Sequence, residues 1–217
     1  VIPDHFILAT TAFKEQTHLL DAEDISAAYE CLRAYREDGE ELFGFFNSGE
    51  HSGASQPHRH IQFLPVQSMC SGVPDGVKWD VLTDSLASAD AALPFKYFSS
   101  RLPSNPSAEQ LHTTYKSLYE QACHISGTNP NTQEASISYN LGLTDRSMVL
   151  CPRTSDGTEI SGENGDPIGR VSLNGTILGG TLLVKSEEEW NVMREDASKL
   201  YEVLHAIGIP LSRGERL

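Results

Sequence analysis

Ser52-Gly53-Ala54-Ser55-Gln56-Pro57-His58-Arg59-His60-Ile61-Gln62 decides how this chain is read. A turn of small polar residues runs straight into an alternating His-x-His-x-Gln. Side chains alternate along a strand, so a strand from His58 to Pro65 puts His58, His60 and Gln62 on one face. Arg59, Ile61 and Phe63 then face the other way, and Arg59 reads as a surface or core-edge residue. Neutral imidazole, with a pKa of about 6.5, is a nucleophile near neutral pH. The backbone N–H groups of Gly53-Ala54-Ser55-Gln56 can meet the oxygens of a phosphate as an anion nest. Gln62 offers an amide N–H without changing charge, so it positions and does not titrate. A bare His-x-His also fits a solvated polar face or a metal site. The preceding Asn47-Ser48-Gly49 and the small-residue turn favour phosphate chemistry. A metal on these histidines wants a nearby carboxylate; the nearest acids are Glu50 and Asp75, and no metal is expected.

Working outward, Leu42 to Asn47 is a short apolar strand closed by Ser48-Gly49. Only about ten residues separate it from the histidine strand, too few for a helical crossover, so the two form an antiparallel pair. Phe6 to Thr10 reads as a further strand. Asp21 is an N-cap for a helix over 22–37, with Glu23 and Asp24 in its first turn and Gly39 at its end. Beyond the loop at Gly72–Gly76, a Ser/Ala/Asp-rich stretch suits a short helix, and Phe95–Ser99 a strand. Ser107 with Gln110 is a capping box for a helix to about His124. Ser136–Leu143 and Ser147–Pro152 form a hairpin around Thr144-Asp145-Arg146. Thr154–Asp166 is polar and Gly-rich and predicts a mobile surface loop. Leu182-Leu183-Val184 is strand-prone. Ser186 with Glu189 starts a helix to about His205, stopped by Gly208 and Pro210. The expected fold class is α+β: a mostly antiparallel sheet with helices packed on it.

The chain has 217 residues and a net charge of -14. That balance argues against a nucleic-acid binder, which needs a basic stripe. It leaves a small nucleotide open, because local donors can hold a polyanion. Cys31, Cys70, Cys123 and Cys151 are scattered with no CxxC pair, the usage of a reducing compartment. No apolar run approaches the ~20 residues of a membrane span, and no signal-peptide pattern opens the chain. Cytoplasm is the expected location, with the nucleus left open. Val1 opens the chain where a strand is already forming, so an upstream segment is expected to be missing.

The stretch Asn47-Ser48-Gly49 through Gln62 resembles the signature of the fungal diadenosine tetraphosphate phosphorylases, also called ATP adenylyltransferases. These belong to the histidine-triad superfamily, on the uridylyltransferase-like branch. Val1–Thr10, Tyr139-Asn140-Leu141 with Pro152-Arg153, and Leu182-Leu183-Val184-Lys185 resemble the same family. The resemblance implies one histidine-triad-like domain over 1–217, with the histidine motif in 1–66 and a C-terminal half, 95–217, completing the site. It implies His60 as nucleophile, forming a nucleotidyl-histidine. It implies phosphate or nucleotide contacts from Asn47, Gly53, Ala54, Ser55, Gln56, His58 and Gln62. From the C-terminal half it implies Asn174, Gly175, Thr176, Thr181 and Lys185. The implied reaction is phosphorolysis of diadenosine tetraphosphate to ATP and ADP, with ADP-sulfurylase exchange as a side activity. Hydrolases of the superfamily carry a third His where Gln62 stands, so Gln62 favours phosphate over water as acceptor.

The partners expected are a nucleotide and inorganic phosphate, with no nucleic acid and no membrane, acting on a monomer. No cofactor is firmly implied, and Mg²⁺ accompanying the nucleotide stays open. Two alternatives remain: a dinucleoside polyphosphate hydrolase, and a nucleotide-binding module without catalysis.

Overall fold

Asp21 caps helix α1 (Ala22–Glu37) as its sequence predicts, with the Asp24 carboxylate reaching back to the Asp21 N–H at 2.9 Å. Gly39, at a φ of 80°, turns the chain into the strand that begins at Leu42. The computed structural model describes residues 2–74, 76–131, 133–162 and 164–212. Val1 and Asp75, both weighed above, lie outside the described residues.

Strands β1 (Phe6–Ala9), β2 (Leu42–Ser48) and β3 (His60–Pro65) come from the first part of the chain. Two short helices, α2 (Val66–Met69) and α3 (Leu82–Ala87), lead to β4 (Phe98–Arg101) and the long helix α4 (Ala108–Ile125). Strands β5 (Ser138–Leu143) and β6 (Ser147–Arg153) form the expected hairpin. All six strands join one sheet in the order β1-β3-β2-β5-β6-β4, and every pairing in it is antiparallel. The centre of the sheet is thus the seam between β2 and β5, where the two parts of the chain meet.

The alternation of side chains divides the core. On one face Phe46, Ile61 and Phe63 pack with Leu20, Ile25, Tyr29, Tyr115 and Tyr119 of the α1 and α4 layer. Burying each such aromatic or aliphatic side chain contributes roughly 1.5–3 kcal/mol. The hydroxyls of Tyr115 and Tyr139 meet at 2.6 Å in this layer, and burial pushes both phenols up. On the other face Phe43, Phe45, Leu64, Val149 and Cys151 pack under Ile177 and Leu178 of a 3-10 turn, Gly175–Gly179. Burial holds the Cys151 thiol up at about 11.

The structure departs from the sequence expectations in four places outside the site. The stretch predicted as a mobile loop after Thr154 carries strand β7 (Gly157–Ser161), paired with β8 (Pro167–Ser172) in a separate two-stranded sheet. Buried Ile160 and Val171 give that hairpin an apolar side, which its polar composition hides. Leu182-Leu183-Val184 forms no strand; Leu182 and Val184 pack as irregular chain against the second core. The helix expected from Ser186 to His205 is two helices, α5 (Glu187–Glu195) and α6 (Ala197–Ile207). Asp196 breaks them by capping α6, its carboxylate accepting from the Ser198 N–H at 2.8 Å. Finally β4 begins at Phe98, not Phe95, because the chain at Phe95 and Lys96 pairs instead with the C-terminal segment: Phe95 bridges Pro210, and the Lys96 N–H donates to the Ile209 carbonyl at 2.8 Å.

Candidate active site

The sheet registers set one row of side chains across its middle. Phe45 stands opposite Gln62, Asn47 opposite Asn140, and Asn140 opposite Cys151. Directly opposite residues share a face, so His60, Asn47, Asn140 and Cys151 lie on the face of Phe43 and Phe45. The β2–β3 ladder stops at the Phe45–Gln62 pair, and the carboxamide of Gln16 fills the gap beyond it. Its oxygen accepts the His60 N–H at 2.8 Å; its nitrogen donates to the carbonyls of Asn47 at 2.8 Å and His60 at 3.2 Å. Gln16 is buried, so the amide substitutes for a missing pair of ladder bonds and fixes the two strands at the candidate nucleophile.

The ring of His60 has a defined tautomer. Its Nδ1 lies 2.7 Å from the carbonyl oxygen of His58. A carbonyl only accepts, so Nδ1 carries the hydrogen and donates it. In the neutral ring Nε2 then holds the lone pair. The strand starts at His60 and not at His58, which corrects the expectation of a strand from His58 to Pro65. His58 sits in an isolated bridge with Glu15, and its Nε2 lies 3.0 Å from the hydroxyl of Thr10. That hydroxyl donates to the Ala12 carbonyl, so it accepts from His58. The contribution of His58 to His60 is therefore its backbone carbonyl.

Asn47 is buried and its oxygen is committed. It accepts from the Asn140 amide and from the Gly175 N–H, both at 2.8 Å. Since a backbone N–H only donates, the Gly175 contact fixes which end of the Asn47 amide is oxygen. The other end, Nδ2, donates to no group among the described residues, so it is available to a ligand. A Cβ on Gly175 would lie 2.8 Å from that same oxygen, so glycine is required for the approach. Gly53, at a φ of 75°, likewise packs against Asn174, where a Cβ would lie 2.9 Å from the Asn174 Cβ. These two glycines clamp the histidine-bearing part of the chain to the segment Asn174–Thr176.

The Gly53–Gln56 turn is open in part. Ser52 Oγ takes the Ala54 N–H at 3.2 Å, which removes it from the anticipated nest. Ala54, Ser55 and Gln56 are exposed and line an open depression of about 390 Å³ with Gln16, Gly49 and Glu50. Gln62 is half-buried and its side chain makes no hydrogen bond among the described residues, so its amide is free to position a ligand. Asn174 caps its own turn, accepting the Thr176 N–H at 3.0 Å, and Thr176 is buried. The Thr181 N–H donates to the Thr176 carbonyl at 3.2 Å. Lys185 is exposed, and its N–H donates to Glu189 at 2.8 Å, so Glu189 does not close the capping box back onto Ser186. Among the described residues no hydrogen bond or ion pair ties the side chains of Thr181 or Lys185 to the histidine strand. Arg59 does face away from His60, but it is buried, not at the surface; its Nη1 meets Asp21 at 3.0 Å and Asp24 at 2.6 Å.

Sequence reasoning missed Gln16 entirely, and passed over Asn140 and Arg153 except as points of resemblance. Asn140 carried a signal, a polar residue at an inward position of an otherwise apolar strand. A lone Gln in a polar loop carries none.

Residues 91–210 match the model of the ATP adenylyltransferase C-terminal domain, and residues 1–76 that of the Ap4A phosphorylase N-terminal domain. The chain is similar to "Diadenosine 5',5'''-P1,P4-tetraphosphate phosphorylase 2" of Saccharomyces cerevisiae, 28% identical over 235 residues, spanning 100% of this chain and 69% of that protein. It is also similar to "Protein APA1" of the same yeast, 27% identical over 233 residues, spanning 100% of this chain and 68% of that one. Among solved structures, yeast Ap4A phosphorylase Apa2 superposes with a TM-score of 0.73 at 27% identity, covering 99% of this chain and 71% of that chain. Its complex with Ap4A superposes with a TM-score of 0.72 at 25% identity, covering 97% of this chain and 71% of that chain.

Proposed function

The chain belongs to the ATP adenylyltransferase family, and from that premise we propose that it splits diadenosine tetraphosphate by phosphorolysis, with His60 as the nucleophile. The observation that carries this reading is the hydrogen bond from His60 Nδ1 to the His58 carbonyl, which leaves the lone pair on Nε2. Nε2 attacks the α-phosphorus at one end of the substrate. A P–N bond forms, the P–O bond to the remaining chain breaks, and ATP leaves. The ring keeps its Nδ1 hydrogen and so becomes cationic, and the His58 oxygen stabilises that charge where it develops. A cationic imidazole is a good leaving group. Inorganic phosphate then attacks the same phosphorus, and ADP departs as neutral His60 is restored.

Binding is divided between two segments. The Asn47 amide nitrogen and the uncommitted N–H groups of the turn at Gly53–Gln56 supply donors to the phosphates. Gln62 stands two residues along the same strand from His60 and donates an amide without offering a base. That supports phosphate as acceptor, because Gln62 cannot take a proton from water. Asn174, Gly175 and Thr176 close the site from the C-terminal half. Sulfate can take the adenylyl group from the same intermediate, which accounts for an ADP-sulfurylase side activity. The residues assigned here all come from one chain, so a monomer suffices.

The test is incubation with diadenosine tetraphosphate, with and without inorganic phosphate, followed by chromatography of the products. ATP and ADP in equal amounts, formed only with phosphate, is the expected result. ATP and AMP formed without phosphate would identify a hydrolase, and binding without turnover a nucleotide-binding module.

A further inference from the structure

We propose that Arg153 and Asn140 are positioning residues of the phosphate site, forming with Asn47 a polarised chain of amides that starts at a buried cation and ends in a free donor. The inference rests on the reading above that Asn47 meets substrate phosphate. Arg153 stands at the end of β6, on the same sheet face as Asn140, and is 4% exposed. Its guanidinium donates to the carbonyls of Ile207, Ser155, Asp156 and Leu173 and, by a short hydrogen bond, to the Asn140 side-chain oxygen. No carboxylate lies within ion-pair distance of it among the described residues; Asp156 nearby commits its side chain to Arg170 at 2.5 Å. Burial lowers the proton affinity of Arg153. Such a group remains charged in proteins all the same.

The direction of the chain is fixed by backbone groups at both amides. Asn140 Nδ2 donates to the Ser52 carbonyl at 2.8 Å, and a carbonyl only accepts, so the other end of that amide is the oxygen facing Arg153. Asn47 is oriented by the Gly175 N–H in the same way. The sequence of bonds therefore runs from guanidinium N–H to the Asn140 oxygen, and from the Asn140 N–H to the Asn47 oxygen. It leaves the Asn47 N–H groups as its open end. Each amide that accepts from a positive neighbour becomes a stronger donor at its nitrogen, and low dielectric reinforces the effect. A chain that starts at a cation and ends in a donor selects an oxygen-rich anion. Arg153 thereby presents positive charge to the phosphates without offering water or a carboxylate access to the guanidinium. In a chain of net charge -14 a surface lysine or arginine would instead meet acidic neighbours.

The test measures dissociation constants in a His60→Ala parent, which cannot turn substrate over. The ligands are diadenosine tetraphosphate and adenosine, which lacks phosphate. Asn140→Asp is the principal variant: it keeps the volume, gives Arg153 a counter-ion, and cannot donate to Asn47 or Ser52. Arg153→Lys is the second. Each is expected to weaken the tetraphosphate about tenfold or more, the scale of one charge-assisted hydrogen bond, and to change adenosine by less than about threefold. Circular dichroism melts show which variants fold, and Asn140→Asp decides the matter if Arg153→Lys does not. Equal losses for the two ligands, or tetraphosphate affinity unchanged in Asn140→Asp, would overturn the relay. Failure of the His60→Ala parent itself to bind the tetraphosphate would instead sink the phosphorolysis reading on which the relay depends.

Discussion

Arg59 and Arg153 are equally buried, each 4% exposed, and their surroundings differ in kind. Arg59, immediately before β3 and turned to the helix-covered side, meets two carboxylates of α1 and its cap, Asp21 and Asp24. Arg153, on the other face of the sheet, meets only neutral oxygens and hands its polarity to Asn140 and Asn47. The first arrangement ends where it begins: the charge is neutralised and a helix is locked to a strand. The second leaves charge unneutralised beside the row that holds His60. A buried cation closed by acids holds structure, and one closed by carbonyls and amides is set up for an anion.

Removing the first cation should be the larger injury to folding. Arg59→Met takes from Asp24, whose side chain is 10% exposed, its 2.6 Å partner and leaves it only Lys14 at 3.9 Å and the Asp21 N–H; it should cost about 3 kcal/mol in denaturant unfolding. The surviving folded fraction should turn over with unchanged KM. Adding Asp24→Asn and Asp21→Asn to Arg59→Met should recover much of that loss. A large change in KM for Arg59→Met would erase the contrast between the two faces.

Gln16 sharpens the contrast from the site side. It ties Asn47 to His60 across the open end of the β2–β3 ladder. Gln16→Ala should lower kcat about 10²-fold, the scale of a misplacement of about 1 Å, with the tetraphosphate dissociation constant changed less. Rapid-mixing measurement of adenylyl transfer checks it. An unchanged kcat would reduce Gln16 to a strand filler.

Cys151 gives a smaller effect, and one with a definite sign. Burial lifts its thiol from an ordinary value near 9 to about 11, while the nearby Arg153 pulls it down. A raised thiol keeps its proton in the folded state while the unfolded chain has already lost it. Its contribution is therefore whole below pH 9 and is lost as pH rises towards 11, by up to ~2–3 kcal/mol. Urea unfolding across that window should show a shallower fall in Cys151→Ala than in the parent. An identical slope in the two would show that the thiol does not titrate there.

Much of this was readable from local chemistry. Asp21, Ser107 with Gln110, and the short link between Asn47 and the histidine strand are local devices, and the helices and the antiparallel pair follow from them. The β-prone run Leu182–Val184 misled because its apolar side chains pack as irregular chain with no strand to pair with. The break at Asp196 depends on a cap that the helical period of the surrounding residues conceals. The site was half legible. His60 and the turn announce themselves in one contiguous stretch. Gln16 acts on partners 31 and 44 residues away, and the contact of Gly175 with Asn47 spans 128 residues. No period or cap encodes such distances. The opposed fates of Arg59 and Arg153 depend on which side chains the folded sheet brings to each.

If His60 Nε2 takes the adenylyl group, the protein carries that group covalently between the two half-reactions. Brief incubation with diadenosine tetraphosphate in the absence of phosphate, followed by mass spectrometry of the alkaline-quenched protein and its peptides, tests it directly. The prediction is a mass increase of one adenylyl group on the peptide carrying His58-Arg59-His60, placed on His60 by fragmentation, absent from His60→Ala and discharged as ADP when phosphate is added. An adduct on His58, or an adduct that persists in His60→Ala, would show that His60 is not the nucleophile.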